Sequence, residues 1–175
     1  MSESLDPGVA LSWRILRYRV LLAIAAAVLA ADQASKAWIR ARLPFNTYGE
    51  ANGAIPVVRG FLYIVHVGNT GAAWSIFTGR SILLAAVAGG ALVAIFLARK
   101  SLGLADTHAQ VCFGLLCGGI AGNLVDRVLR GHVIDFLDFH FGSYVYPTFN
   151  VADSAICVGV ALYLLASLRP ARRIA

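Results

Sequence analysis

Charge is scarce in this 175-residue sequence: Asp, Glu, Lys and Arg together make up 14% of it, against about 25% in an average soluble domain. Cysteine is scarce too. Cys112, Cys117 and Cys157 are odd in number and show no CxxC spacing, which argues against a disulfide framework or a cysteine-based zinc site and leaves them as small apolar packing residues. No Gly-rich phosphate loop, HExxH helix or GxSxG stretch occurs, so the usual nucleotide-binding, zinc-protease and serine-hydrolase signatures are missing. Internal repeats and low-complexity linkers are missing as well, and the chain reads as a single domain over residues 1–175.

What is present is apolar surface. The sequence is 59% hydrophobic with a mean hydropathy of +0.73, a composition that points to a membrane protein. Four apolar segments support that class: Val20–Ala31 running on through Asp32 toward Ile39, Ser81–Ala98, Ala109–Val125 and Val151–Leu168. Extended to their polar ends, they predict spans over about 18–39, 81–98, 109–129 and 151–168. The second, "SILLAAVAGGALVAIFLA", carries no charge and reaches roughly 27 Å as a helix. The others reach spanning length only by including polar residues. Ionisable groups at such depth are costly and face a protein interior or a water-filled site.

Arg14, Arg17 and Arg19 before an apolar run and "AADQA" have the outline of a signal peptide. Retention is the preferred reading, because the apolar pattern continues as a multispanning chain. Four retained spans put both termini on one side, with Arg14, Arg17, Arg19, Arg99, Lys100, Arg169, Arg172 and Arg173 facing the cytoplasm. Arg40, Arg42, Arg59, Arg80, Arg127 and Arg130 fall on the opposite side, in longer segments. The net charge of +6 fits contact with anionic lipid, and no nucleic-acid motif accompanies it.

Two outer segments differ in character. Residues Leu43–Phe77 hold the turn signal Asn52-Gly53 and the β-branched, aromatic "FLYIVHV", which predicts a short β-rich segment outside the membrane. Arg130–Thr148 is aromatic-rich, with Phe136, Phe139, Phe141, Tyr144 and Tyr146, as befits an interfacial anchor or a cover over a site. In the third span Gly114, Gly118 and Gly122 line one helix face for close helix packing, and Gly119 falls outside that row.

Four polar clusters gather at the same predicted outer boundary. "DQASK" puts Asp32 one helical turn before Lys36, the favourable order for an ion pair. "GNTGAAWS" offers Asn69 and Gly71 in a turn-like setting. "GNLVDR" places Asn123, Asp126 and Arg127 near the end of the third span, where an arginine suits the helix C-terminus and Asn123 lies deeper than a terminator needs. "FNVADSAI" opens the last span with Asn150 as N-cap and Asp153 at the third helical position, a capping box with Asp in place of Glu.

Capping does not account for Asp135. It follows Gly131 and sits among large apolar side chains in "HVIDFLDF", where a lone carboxylate tends to take up a proton. A second carboxylate nearby lets a pair share one proton, activating water with one member and polarising a carbonyl with the other. Asp153 is the natural partner. The residues alone leave this dyad open beside a structural or ion-conducting use of the same acids, and periodicity does not choose between Asp135 and Asp138.

Taken in order, "DQASK", "NTGAAWS", "GGIAGNLVDRVLRGHVIDF" and "FNVADSAI" resemble lipoprotein signal peptidase, the bacterial signal peptidase II family, over all but about the first dozen residues. The resemblance implies an aspartic endopeptidase of the bacterial inner membrane. Such enzymes cleave prolipoproteins just before a cysteine that carries a diacylglyceryl group. It assigns the catalytic acids as Asp135 and Asp153, and it implies supporting roles for Asp32, Lys36, Asn69, Gly71, Asn123, Arg127 and Asn150. It also implies a membrane all-α fold of four transmembrane helices, a small extracytoplasmic β-cradle and a flap-like outer segment. Both termini are then cytoplasmic and the site lies near the periplasmic face. Prolipoprotein and membrane lipid are the expected partners of a monomeric enzyme that needs neither cofactor nor metal. Trp74 departs from the family, which more often carries phenylalanine there, so no contact is carried over for it. The N-terminal end of the last helix favours a charged Asp153, which makes it the expected base.

Overall fold

The computed structural model describes residues 17–72 and 76–168. Trp74, Ser75, Arg14, Arg169, Arg172 and Arg173 therefore lie outside the described residues. Four helices dominate: α1 (Arg19–Arg42), α2 (Ser81–Leu97), α3 (Thr107–Arg130) and α4 (Val151–Ser167). By length and composition α1 and α3, each 24 residues, suffice to cross a membrane, whereas α2 and α4 are apolar helices of 17 residues. Local chemistry sets their ends. Asp106 caps α3 by accepting the Ala109 N–H, and Gly131, at φ +75°, ends it in the left-handed conformation that glycine adopts without steric cost. The capping box foreseen at Asn150 and Asp153 starts α4.

α3 is the centre of the bundle because it carries glycines on two sides. A Cβ at Gly114 or Gly118 would stand 2.9 Å from the Ile24 side chain or 2.7 Å from that of Val28, so this row is where α1 packs. Gly119, outside the row, serves a second contact: a Cβ there would strike the Ala152 carbonyl of α4. Gly159 of α4 returns the approach: a Cβ there would stand 2.7 Å from the Cys112 carbonyl.

Polarity is distributed in the reverse of a soluble protein. Ile82, at 85% exposed, and Leu168, at 79%, lie on the outside, while Asp32, Lys36 and Asp126 are fully buried. Charge inside and large apolar side chains outside suit a lipid surround.

A four-stranded antiparallel sheet, in order β1-β2-β3-β4, sits at one end of the bundle: β1 (Ile55–Val58), β2 (Leu62–Asn69), β3 (Val133–Phe141) and β4 (Tyr144–Val145). The β-rich 43–77 segment supplies the first two strands. The chain reverses between them around Gly60, at φ +78°, and Asn52-Gly53 instead closes a short 3-10 turn. The aromatic outer segment supplies the other two, which the sequence reading did not anticipate. The reason is a break in alternation: the N–H groups of Phe136 and Leu137 both donate to the Phe149 carbonyl, two residues against one. Ile39 and Leu43, at the end of α1, pack with Ile134 and Phe136 and seat the sheet on the bundle.

Candidate active site

The polar clusters meet where the sheet joins the helices. α1 contributes Asp32, Gln33 and Lys36, one turn apart on the face against α3. The Lys36 ammonium lies 2.8 Å from Asp32 Oδ2 and 2.8 Å from Asp126 Oδ2, all three side chains being fully buried. Gln33 Nε2 donates to both acids, and Arg130 pairs with Asp126 as well. Asp32 Oδ1 also accepts the Ala152 N–H at 3.1 Å and so holds the start of α4. This is a closed cluster in which charges balance and lone pairs are used, the condition under which buried ions are tolerated. Asp126 serves Lys36, Arg130 and the Ile134 N–H, a supporting place within the buried cluster.

Asn123 links that cluster to the acids. Its Oδ1 accepts from Lys36 Nζ at 3.1 Å, and its Nδ2 donates to Asp153 Oδ1 at 2.7 Å. Both ends of the Asn123 amide are therefore engaged within the protein. Asn150 does more than cap. Its Oδ1 accepts the Asp153 N–H at 2.9 Å while its Nδ2 donates to Asp135 Oδ1 at 2.7 Å. Asp135 Oδ2 accepts from Asn69 Nδ2 at 3.0 Å, and Asn69 Oδ1 accepts the Gly71 N–H. Arg127 donates to the Gly71 carbonyl at 2.8 Å, and its Nε has no partner among the described residues. Gly71 is required by space: a Cβ would stand 2.7 Å from the Ile76 carbonyl.

Asp135 and Asp153 thus come from a strand and a helix and border one cavity of about 600 Å³. Asn69 and Arg127 line it too, and the rest of the wall is largely apolar: Val133, Phe139, Phe141, Phe149 and Ile156. Burial, and after it the nearby charge of Asp153, pushes the Asp135 carboxyl up to about 7, against the amides of Asn69 and Asn150 and the charge of Lys36, which pull it down. A carboxyl that keeps its proton near neutrality, beside a second acid in an apolar cavity, fits general acid–base chemistry at a carbonyl.

Two other reactive side chains are occupied. Ser154 Oγ donates to the Asn150 carbonyl, and His66 Nδ1 lies 3.0 Å from the Leu43 carbonyl. No group of three or more His, Cys, Asp or Glu among the described residues is placed to hold a metal ion. Asp32 is closed within its ion pair, out of the cavity that Asp135 and Asp153 border. Sequence reasoning missed Gln33, Asp126 and Arg130 as partners of the buried cluster, because their meeting depends on which faces of α1 and α3 touch.

Comparison with known proteins gives a consistent picture. Residues 24–169 match the family of signal peptidase (SPase) II. The chain is 41% identical over 159 residues to a lipoprotein signal peptidase of Geobacter metallireducens, covering 89% of this chain and 94% of that one. It is 37% identical over 163 residues to a lipoprotein signal peptidase of Nitratidesulfovibrio vulgaris, covering 88% and 92%. A bacterial membrane enzyme solved by the in meso method at 2.3 Å resolution superimposes with a TM-score of 0.75 at 32% identity, over 85% of this chain and 87% of that one.

Proposed function

The chain belongs to the signal peptidase II family of bacterial membrane proteases, and from that premise we propose that it is an aspartic endopeptidase whose dyad is Asp135 and Asp153. It removes signal peptides from prolipoproteins, cutting immediately before the diacylglyceryl-modified cysteine. The carrying observation is that the two acids, from separate elements, border one apolar cavity and are tied together through Asn150 and Asn123.

Asp135 holds the shared proton at rest and Asp153 is the base. The pair titrates as a unit, and the place of Asp153 in the first turn of α4, where the helix end favours a charged carboxylate, supports this division. Water attacks the scissile carbonyl carbon and gives a proton to Asp153, while Asp135 gives its proton to the carbonyl oxygen, forming a gem-diol. One hydroxyl then returns its proton to Asp135, the C–N bond breaks, and Asp153 protonates the leaving amine. Asn69 and Asn150 fix the plane of the Asp135 carboxyl, and Asn123 fixes that of Asp153. Arg127 faces the cavity from α3 and orients the peptide backbone.

All four helices span the bacterial inner membrane, with both termini cytoplasmic and the sheet, acting as a cradle, at the periplasmic face. The apolar exteriors of α2 (Ile82, Val87, Phe96, Leu97) and α4 (Val158, Leu164, Leu165) support spanning, since 17 residues reach about 26 Å of a roughly 30 Å core. Residues 1–175 act as one domain and one monomer. Acyl chains of the substrate enter from lipid and lie against the apolar wall at Ile156 and Cys157.

The test is release of signal peptide from a purified diacylglyceryl prolipoprotein by Asp135→Asn and Asp153→Asn, each confirmed as folded. Loss of at least a thousandfold in kcat is expected from each, with wild-type activity unaffected by exhaustive chelation. Appreciable turnover by either variant overturns the dyad.

A further inference from the structure

Asp135 borders a second cavity besides the apolar one. This chamber, about 520 Å³, lies on the sheet side and is lined by Tyr48, Asn69, Asp138, His140, Val145 and Thr148 among others. Asn69, Ala72, Asp135, Tyr146, Pro147 and Thr148 border both cavities and so form the divide between them. The two differ in chemistry. The first runs down to Ile156 and Cys157 on α4, whereas the second has a mixed wall in which Tyr48, Thr70, Asp138, His140 and Thr148 stand beside Val67, Val145 and Pro147.

Asp138 is held ready for such a wall. It is nearly buried, with His140 Nε2 2.8 Å from its Oδ2 and Thr148 Oγ1 donating to its Oδ1 at 3.3 Å. The two-against-one arrangement at Phe136 and Leu137 brings Asp138 to the same chamber as Asp135, three residues earlier, which simple strand alternation would not do. Burial, and after it the charges of Asp138 and Asp135, pushes the Tyr48 phenol up, as expected of a hydroxyl facing both acids.

We propose that this polar chamber supplies the hydrolytic water, delivered to the dyad past Asp138, His140 and Asn69 while the substrate fills the apolar cavity. The inference rests on the dyad reading above. A lipid-anchored peptide in the apolar cavity displaces solvent from that side of the two acids, and peptide hydrolysis consumes one water per turnover. A second opening onto Asp135, walled by groups that hold water in place, meets that need.

The experiment blocks the chamber without touching the dyad. Val145 lines the chamber alone, on the short β4, and is half exposed. Val145→Trp in the full chain is assayed with a diacylglyceryl prolipoprotein, recording kcat and KM separately. A fall in kcat of at least tenfold with KM within twofold of wild type is expected. Val145→Cys, introduced into a parent chain whose Cys117 and Cys157 are already alanine and labelled after folding with a bulky aryl methanethiosulfonate, guards against misfolding. Its kcat falls on labelling and recovers with a thiol reductant, while the parent chain treated in parallel is unchanged. An unchanged kcat in both blocked forms overturns the proposal. So does a rise in KM that matches or exceeds the fall in kcat, which assigns the chamber to the peptide. Failure of the wild-type chain to cleave at all counts against the dyad reading and is seen separately.

Discussion

The Asn150 side-chain amide nitrogen lies 2.7 Å from Asp135 Oδ1 while the oxygen of the same amide accepts the Asp153 N–H at 2.9 Å. One helix cap therefore sets the position of one acid and orients the other. Asn150→Ser keeps a capping acceptor but is too short to donate to Asp135. Asn150→Ala loses both. The serine variant is expected to unfold within about 1 kcal/mol of wild type yet lose tenfold or more in kcat. The alanine variant is expected to lose about 1–3 kcal/mol as well, by thermal unfolding in detergent.

Lys36 neutralises two fully buried carboxylates, Asp32 and Asp126. Lys36→Met leaves both in place with half of their compensation gone. Destabilisation of roughly 3–5 kcal/mol is expected. Adding Asp126→Asn removes one of the stranded charges and recovers part of the loss. A double variant no more stable than Lys36→Met would show that the cluster is not held electrostatically.

Asp135 makes stability depend on pH, with a definite sign. Its folded-state position, about 7, lies above the ordinary 3.8. Below about 4 the carboxyl is protonated folded or unfolded, and its contribution is fully present. Between about 4 and 7 the unfolded chain releases that proton and the folded chain keeps it, so stability falls by up to about 1.4 kcal/mol per pH unit. Asp135→Asn removes this slope. Its melting temperature relative to wild type is expected to rise from pH 4 to pH 7 and then level off. The same proton is needed in the reaction, so wild-type kcat/KM declines above about pH 7.

The glycines of α3 offer an internal control. Gly118→Ala presses on Val28 and the Ala25 carbonyl, and Gly119→Ala on the Ala152 carbonyl, none of which is the free end of a flexible chain. Each is expected to cost about 1–3 kcal/mol. Gly89→Ala and Gly90→Ala on α2 meet nothing within 4 Å and are expected to be neutral or stabilising by up to about 1 kcal/mol.

Arg127 holds the Gly71 carbonyl at 2.8 Å and faces the apolar cavity. Arg127→Lys keeps the charge but not the planar fork that serves two acceptors at once. A rise in KM of tenfold or more with a smaller change in kcat is expected, and an unchanged KM would remove Arg127 from substrate binding.

The sequence by itself determined the features that are local or compositional. The apolar segments, the Asp32–Lys36 pair at one helical turn, the Asn150–Asp153 capping box, the glycine row of α3 and the family motifs all depend on neighbours within a few residues. Suspicion of Asp135 also came from its immediate surroundings. Only the tertiary structure decided what crosses between segments. Lys36 meets Asn123, 87 residues away, and Asn123 turns its amide to Asp153 instead of to the cavity. Gly119 proved to be a contact with α4, and the aromatic stretch around Asp135 proved to be a strand paired with β2. Asp138, which periodicity could not separate from Asp135 in the sequence, lies on a second chamber because one two-against-one pairing at Phe136 and Leu137 shifts the faces of β3. Such pairings depend on which faces of distant elements touch, and local propensity and period carry no record of that.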